Sequence, residues 1–193
     1  GLNLVRHAKL QGMPVTCEVT PHHLFLNEDD ITDAYNTNLK MNPPLRPKSD
    51  MQAMQEGLID GSIDCVVTDH APHAPHEKDC EWEIAYPGTV GLETSLPLIL
   101  TRLVLPGKMS WNRMVEVMAV NPREILTLSE VKIQAGGKAD LTLIDPKKEI
   151  EVTPDYLQGK AKNSAFLGQK LTGAASDVFC SGKRTLTNGV VTK

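Results

Sequence analysis

The feature that most constrains the fold of this chain is an apolar hexapeptide, Ile63-Asp-Cys-Val-Val-Thr68, which leads directly into Asp69. Its run of branched side chains is typical of a strand buried on both faces, as in a parallel sheet. A second strand is predicted at residues 15–20, where apolar and polar residues alternate. Strands separated by helical segments indicate βα units, so we expect an α/β fold with a parallel sheet.

The segments around these two strands complete the pattern. Residues 38–42 are predicted to form a further short strand, and Ser49 is predicted to open a helix with a capping box. Gly61 suits the C-terminal cap of that helix. Residues 69–91 form a long loop, and loops of this length in compact domains are often functional. Further helices are predicted over residues 92–105, over 110–118 and from Asn121.

From Gly136 the sequence changes character. Residues 139–144 and 149–153 alternate as two strands around a predicted turn at Asp145-Pro146, and Asn188-Gly189 predicts a hairpin. We therefore expect two domains, an α/β body over 1–135 and a small β domain over 136–193. A complete (β/α)8 barrel takes about 250 residues. A barrel-type body of this length would hold three or four βα units, as the C-terminal part of a longer protein.

Charge and cysteine content narrow the functional classes. The chain carries 20 Lys and Arg against 24 Asp and Glu, a formal charge of −4, which argues against a nucleic-acid binder. No apolar run approaches the roughly 18–20 residues that a membrane span requires. Cysteines at positions 17, 65, 80 and 180 form no CxxC pattern. Their spacing favours reduced thiols in the cytoplasm over a disulfide framework.

The strongest candidate for chemistry follows the buried strand, in Thr68-Asp-His-Ala-Pro-His73. The C-terminal edge of such strands is where α/β folds present catalytic groups. Asp69 could bind a metal and shuttle a proton, or it could cap a turn. The neighbouring histidines favour the functional interpretation, because His is the commonest metal ligand and general acid or base.

The histidines of the long loop also suggest a metal site of another kind. His70, His73 and His76 recur every three residues before Cys80, in the manner of a zinc-ligand run. The interleaved prolines prevent a helix from placing these side chains on one face. A closed structural zinc site is therefore disfavoured.

Other polar or turn residues also sit where predicted strands and loops end. For His22 and His23 we favour packing or hydrogen bonding over metal binding, because adjacent side chains diverge. Asn42 could bind an amide or carboxylate substrate, or it could initiate a turn before proline. The Pro87-Gly88 backbone could approach a ligand closely, or it could be an ordinary turn.

Four stretches together resemble the bacterial class I dihydroorotases of the amidohydrolase superfamily. They are Val15-Thr-Cys-Glu-Val-Thr-Pro-His-His-Leu24, Lys40-Met-Asn-Pro-Pro-Leu-Arg46, Ile63-Asp-Cys-Val-Val-Thr-Asp-His-Ala-Pro-His73 and Pro87-Gly-Thr-Val-Gly-Leu-Glu-Thr94. Ala139-Asp-Leu-Thr-Leu-Ile-Asp145 is similar to a β-layer strand of these proteins. The resemblance spans essentially the whole chain.

The resemblance implies the C-terminal part of a metal-dependent-hydrolase (β/α)8 TIM barrel, with a small β-sandwich-like domain and one or two zinc ions at the barrel mouth. It implies that Asp69 is a zinc ligand and the catalytic base. Asn42 and His73 would contact the substrate, and the Pro87-Gly88 backbone would close over it. The implied reaction is reversible hydrolysis of the cyclic amide of (S)-dihydroorotate to N-carbamoyl-L-aspartate, in pyrimidine biosynthesis.

The family's His-x-His-x-Arg motif, its bridging ligand and its two further zinc histidines would lie upstream of Gly1. We therefore expect the 193 residues alone to be inactive. Two alternatives stay open: another cyclic amidase of the hydantoinase or allantoinase kind, and a non-catalytic dihydroorotase-like scaffold subunit. Besides the small-molecule substrate, the expected partners are further copies in a homo-oligomer and aspartate transcarbamoylase, with no nucleic acid and no membrane.

Overall fold

The computed structural model describes residues 1–130 and 132–192. It opens with helix α1 (Leu2–Leu10), strand β1 (Glu18–Val19), helix α2 (Pro21–Phe25), helix α3 (Lys48–Asp60) and strand β2 (Cys65–Val66). β1 and β2 are parallel neighbours, with Glu18 opposite Cys65 and Val19 opposite Val66. The predicted parallel pairing is confirmed, and it places the residues after both strands at one edge.

Helix α3 joins the two strands. It ends as predicted at Gly61, whose φ of +92° is a left-handed conformation that glycine adopts without steric cost. The predicted capping box at Ser49 is wrong. The helix begins one residue earlier, behind Pro47, and no described side chain caps it. Its inner face presents Leu58, which is fully buried in the core of the body.

The strand predicted at residues 38–42 is also wrong. The structure has a 3-10 turn over Thr37–Leu39, preceded by another over Glu28–Asp30. The side-chain oxygen of Asn36 accepts a hydrogen bond from the Asn38 backbone N–H at 3.0 Å, which gives this segment a local alternative to strand pairing. The chain then runs on without regular structure through a cis Asn42-Pro43 peptide.

The predicted long loop over residues 69–91 contains one short helix that was not predicted, α4 (Pro75–Lys78). The later helices lie close to their predicted positions. They are α5 (Leu92–Ile99) with a π-helical continuation (Leu100–Val104), α6 (Trp111–Val115) with a π-helical continuation (Glu116–Val120), and α7 (Asn121–Ile125). Ser110 caps α6, and its hydroxyl oxygen accepts a hydrogen bond from the backbone N–H of Arg113 at 3.1 Å. Ile99, Leu100 and Leu103 are fully buried, so this face of α5 and its continuation supports the core.

The β layer is an antiparallel sheet in the order β3 (Leu141–Glu151), β4 (Lys170–Cys180), β5 (Lys183–Thr187) and β6 (Val190–Val191). The predicted break at Asp145-Pro146 is wrong, because β3 runs through it. The register jumps between Asp145 and Glu149. Pro146 lies inside that irregularity, where its missing N–H costs no ladder bond. The hairpin at Asn188-Gly189 is confirmed, with φ positive at both residues.

Two buried clusters hold the fold together. One lies within the body, around Leu24, Leu58, Ile63 and Ile99. The other includes Leu98 of α5 together with Val152, Phe166 and Leu171, so residues from both predicted domains share it. The division at 135/136 stays a prediction. In the described residues, no helix has the length and apolar character of a membrane span.

Candidate active site

Asp69 comes three residues after β2 ends, where the chain turns sharply away from the sheet. Its φ is +46°, a left-handed value that is uncommon for a residue other than glycine. Such conformations are concentrated at functional sites. The side chain of Asp69 is exposed, so its carboxylate is accessible at the carboxyl edge of the two strands.

Asp69 and Asn42 line one open cavity of about 570 Å³. The wall also includes Glu18 of β1, His23 of α2 and Arg46. Carboxylate, amide, imidazole and guanidinium groups therefore surround one space at the edge where βα proteins place their sites. Asp69 and Asn42 were predicted from the sequence as site residues, whereas Glu18 and Arg46 were not. Their only signal was their place in the strand and in the Asn-Pro-Pro-Leu-Arg sequence.

The two histidines of α2 differ in their surroundings. His23 Nε2 lies 3.0 Å from the carbonyl oxygen of Pro43 and must carry the proton, so Nδ1 accepts the Thr20 hydroxyl at 2.7 Å. This is the hydrogen-bonding role predicted for it. His22 is buried, and its Nε2 has no hydrogen-bond partner among the described residues. Burial, with a smaller contribution from His23, lowers the pKa of His22 to about 3.

His73, Pro87 and Gly88 form a second group. His73 Nε2 donates to the carbonyl oxygen of Pro87 at 3.0 Å, and its Nδ1 lies 3.6 Å from Glu77 Oε2. The backbone N–H of Ala74 is the main cause that lowers the pKa of Glu77. Gly88 has a φ of +127°, and a Cβ there would lie 2.6 Å from Ala71 Cβ. Only glycine fits this close approach.

His73 lines a different cavity from Asp69. This second cavity, of about 520 Å³, is also bordered by His70, Glu93 and Lys160. His70 Nδ1 accepts the Gly91 N–H at 3.2 Å. The two groups of predicted site residues meet through the backbone, because the Gly88 N–H donates to the carbonyl oxygen of Lys40 at 2.8 Å, two residues before Asn42.

The chain is similar along nearly its whole length to proteins named dihydroorotase. It is 50% identical over 180 residues to that of Geobacter sp. (strain M21), and 48% identical over 182 residues to that of Geotalea daltonii. These alignments cover 93% and 94% of the chain and 42% of each relative. The chain is thus similar, over nearly all of its own length, to part of a dihydroorotase. It spans less than half the length of these relatives, and no family model matches it.

Comparison with solved structures tests the predicted architecture. The chain superposes on the L-hydantoinase (dihydropyrimidinase) of Arthrobacter aurescens with a TM-score of 0.92 and 31% identity, covering 100% of this chain and 44% of that one. The chain therefore forms part of an amidohydrolase-type (β/α)8 barrel, with the β layer attached. The predicted fold class is confirmed.

The donor atoms present do not form a complete metal centre. A catalytic zinc ion normally takes three protein ligands. In the part of the chain that the structure describes, no three His, Cys, Asp or Glu side chains are grouped closely enough to hold an ion. The run of His70, His73, His76 and Cys80 therefore does not converge. Asp69 remains a single candidate ligand.

Proposed function

We propose that this chain forms part of a dihydroorotase that reversibly hydrolyses the cyclic amide of (S)-dihydroorotate to N-carbamoyl-L-aspartate. The observation that carries the proposal is the shared cavity of Asp69 and Asn42 at the carboxyl edge of β1 and β2. The sequence identity of about 50% to named dihydroorotases supports the choice of substrate.

Asp69 is the proposed catalytic base. When water attacks the ring carbonyl carbon, a carboxylate can take a proton from the water and return it to the ring nitrogen as the C–N bond breaks. The products are then a neutral carbamoyl nitrogen and a carboxylic acid, which ionises to a carboxylate and releases one proton to solvent. The exposed position of Asp69 beside an open cavity suits a group that must reach both the water and the leaving nitrogen.

Asn42 and His73 are proposed to bind the substrate. The amide of Asn42 offers a donor and an acceptor to a carboxylate or amide edge. Because His73 Nε2 is engaged by Pro87, its Nδ1 edge is the one left for the substrate or for Glu77. The Pro87-Gly88 backbone, held against His73, is the proposed cover over the bound ring. These contacts would contribute orientation.

Zinc is the proposed cofactor, with one or two ions per subunit and Asp69 as one ligand. The remaining ligands would come from the part of the protein outside this chain.

A second candidate activity is hydrolysis of another cyclic amide, as in hydantoinases or allantoinases. The superposition on an L-hydantoinase favours it. The higher identity to named dihydroorotases favours dihydroorotate. A non-catalytic scaffold is the third candidate, and the retention of Asp69, Asn42 and His73 argues against it.

Substrate assays on the whole protein that carries this sequence separate the three candidates. Dihydroorotate, N-carbamoyl-L-aspartate, hydantoin and allantoin are supplied separately, and turnover is followed by absorbance and chromatography. We expect interconversion of the first pair at a rate well above that of the other two. Preference for hydantoin or allantoin would support the second candidate, and no turnover of any compound would support the scaffold.

The proposed setting is the cytoplasm, in a homo-oligomer, with aspartate transcarbamoylase as a candidate partner. The four free cysteines support a reducing compartment. Light scattering of the purified protein, alone and mixed with aspartate transcarbamoylase, tests both the oligomer and the partner.

A further inference from the structure

The carbonyl oxygen of Gly88 accepts hydrogen bonds from two side chains that are distant in sequence. Lys78 Nζ lies 3.1 Å from it, and Asn163 Nδ2 lies 3.3 Å from it. Only 7% of Lys78 and 6% of Asn163 is exposed. Burying such groups is costly unless they are hydrogen-bonded. Their bonds therefore fix the geometry of the backbone around them.

Lys78 bridges the backbone on both sides of Pro87. Its Nζ also donates to the carbonyl oxygen of Tyr86 at 2.9 Å. No carboxylate of the described chain forms an ion pair with it. Burial, followed by the nearby charge of Lys40, lowers the pKa of Lys78 to about 8. Because Lys78 Nζ donates, within the described part of the chain, only to backbone carbonyl oxygens of this loop, its role is to stabilise the loop conformation.

Asn163 joins the same loop to the segment after β2. Its Oδ1 accepts the backbone N–H of His73 at 3.0 Å, and its Nδ2 donates to the carbonyl oxygen of Ala71 at 2.9 Å. Since His73 in turn donates to Pro87, these bonds form a closed ring through His73, Pro87, Gly88 and Asn163. Moving any member displaces the others.

We propose that Lys78 and Asn163 are positioning residues, which hold the Gly88 carbonyl between them and thereby fix His73 and the Pro87-Gly88 backbone for substrate binding. This inference rests on the proposed function, which assigns that loop to the substrate. Neither Lys78 nor Asn163 lines either cavity. Both therefore act through the residues that they hold.

The test uses the whole protein with Lys78→Met, Asn163→Ala and the double variant. Misplacing substrate-binding groups by about an ångström lowers kcat/KM by roughly 10- to 100-fold, and we expect most of this loss as a higher KM. Because both side chains hold one carbonyl, the double variant should lose less than the product of the single losses. Lys162→Met is the matched control, because Lys162 also donates to a backbone carbonyl oxygen, but to that of Leu157 and not to that of Gly88.

Two conservative variants and one substrate-free measurement complete the design. Lys78→Arg keeps cationic hydrogen-bond donors, so its KM should lie between that of Lys78→Met and that of wild type. Asn163→Asp keeps the acceptor for His73, loses the donors to Ala71 and Gly88, and should keep the defect. Amide hydrogen exchange over residues 84–90 should become faster in Lys78→Met and Asn163→Ala, and stay unchanged in Lys162→Met.

The proposal is wrong if KM and loop exchange stay at wild-type values, whether or not the melting temperature falls. It is also wrong if Asn163→Asp behaves as wild type. The exchange measurement needs no turnover. If the wild-type protein hydrolyses no dihydroorotate, the proposed function is wrong. Amide hydrogen exchange over residues 84–90 would still show whether Lys78 and Asn163 hold the loop.

Discussion

The two sheets of this molecule are held together in different ways. In the body, β1 and β2 are each two residues long, whereas β3 and β4 of the β layer are each 11 residues long. The shape of the β layer depends on backbone hydrogen bonds between long strands, and such bonds form with many different side chains. The candidate site lies in segments without regular secondary structure. There, single side chains such as Asn163 and Lys78 fix the backbone conformation through their hydrogen bonds to the Gly88 carbonyl oxygen. Substitutions near the site should therefore change function, and substitutions in the layer should mainly change stability.

The largest effect that this comparison predicts is at Asp69. Asp69→Asn removes the proposed base, and loss of a general base typically lowers kcat by about 10²- to 10⁴-fold. The melting temperature and circular dichroism spectrum should stay near those of wild type, because Asp69 is exposed. Near-wild-type turnover would contradict the assignment.

Asp64, just before β2, provides the matched control. Its carboxylate binds Lys9 Nζ and the Cys17 backbone N–H, each at 2.7 Å. Asp64→Asn should therefore lower the melting temperature while leaving kcat largely intact, the reverse of the result at Asp69.

Asn42→Ala and His73→Ala should have the next largest effects. Losing a hydrogen bond to a charged substrate group costs about 1.5–3 kcal/mol, which corresponds to a rise in KM of roughly 10- to 150-fold. Metal content of the whole protein, measured by mass spectrometry, should be unchanged. Loss of zinc from either variant would show that the residue is a ligand and not a substrate contact.

Two glycines with positive φ compare the body and the layer directly. Gly88→Ala would force a Cβ against Ala71 and His73, and overpacking of this kind costs about 1–3 kcal/mol. Gly182, in the turn between β4 and β5, has open space around it. Gly182→Ala should cost only about 1 kcal/mol, from its φ alone. KM should rise in the first variant only, and equal KM values would remove the functional distinction between the two regions.

The last predicted effect depends on pH and concerns the stability contributed by His22. Its pKa is lowered to about 3 in the folded state, by burial and by His23, against about 6.5 when unfolded. Between these values the unfolded chain binds a proton that the folded chain does not. Stability therefore falls as the pH drops below 6.5, by up to about 1.4 kcal/mol per unit. His22→Leu should flatten the dependence of the melting temperature on pH between 6.5 and 5. His7→Leu, at an exposed position on α1, is the control, and equal slopes in all three proteins would contradict the prediction.

Local patterns predicted the parts of the fold that local interactions determine. The Gly61 cap and the Asn188-Gly189 turn each depend on neighbours within a few residues. Strand β2 was found from its own apolar run, although its pairing partner β1 is distant in sequence. The prediction of a strand at 38–42 was wrong because the Asn36 side chain accepts a hydrogen bond from the Asn38 backbone N–H, which competes with strand pairing. The prediction of a strand break at Asp145-Pro146 was wrong because β3 pairs with the distant strand β4 on both sides of these residues.

The residues of the candidate site also differ in how much local sequence signal marks them. Asp69 was found because it directly follows a recognisable strand. Lys78 and Asn163 gave no local signal, since charged and amide side chains are mostly exposed and nothing in the flanking residues marks them as buried. Their partners at Gly88 are 10 and 75 residues away. Only the folded chain brings these groups together.

Asn163 has a consequence for recombining this chain with its relatives. It lies between β3 and β4, yet it hydrogen-bonds the loops that follow β2. A hybrid that joins residues 1–135 of one protein to the β layer of another can keep its loops in place only if the incoming connection presents an amide at the same point. The unit to exchange in such hybrids is therefore the pair of loops together with that connection, and a crossover placed at the change in sequence character near Gly136 would separate them.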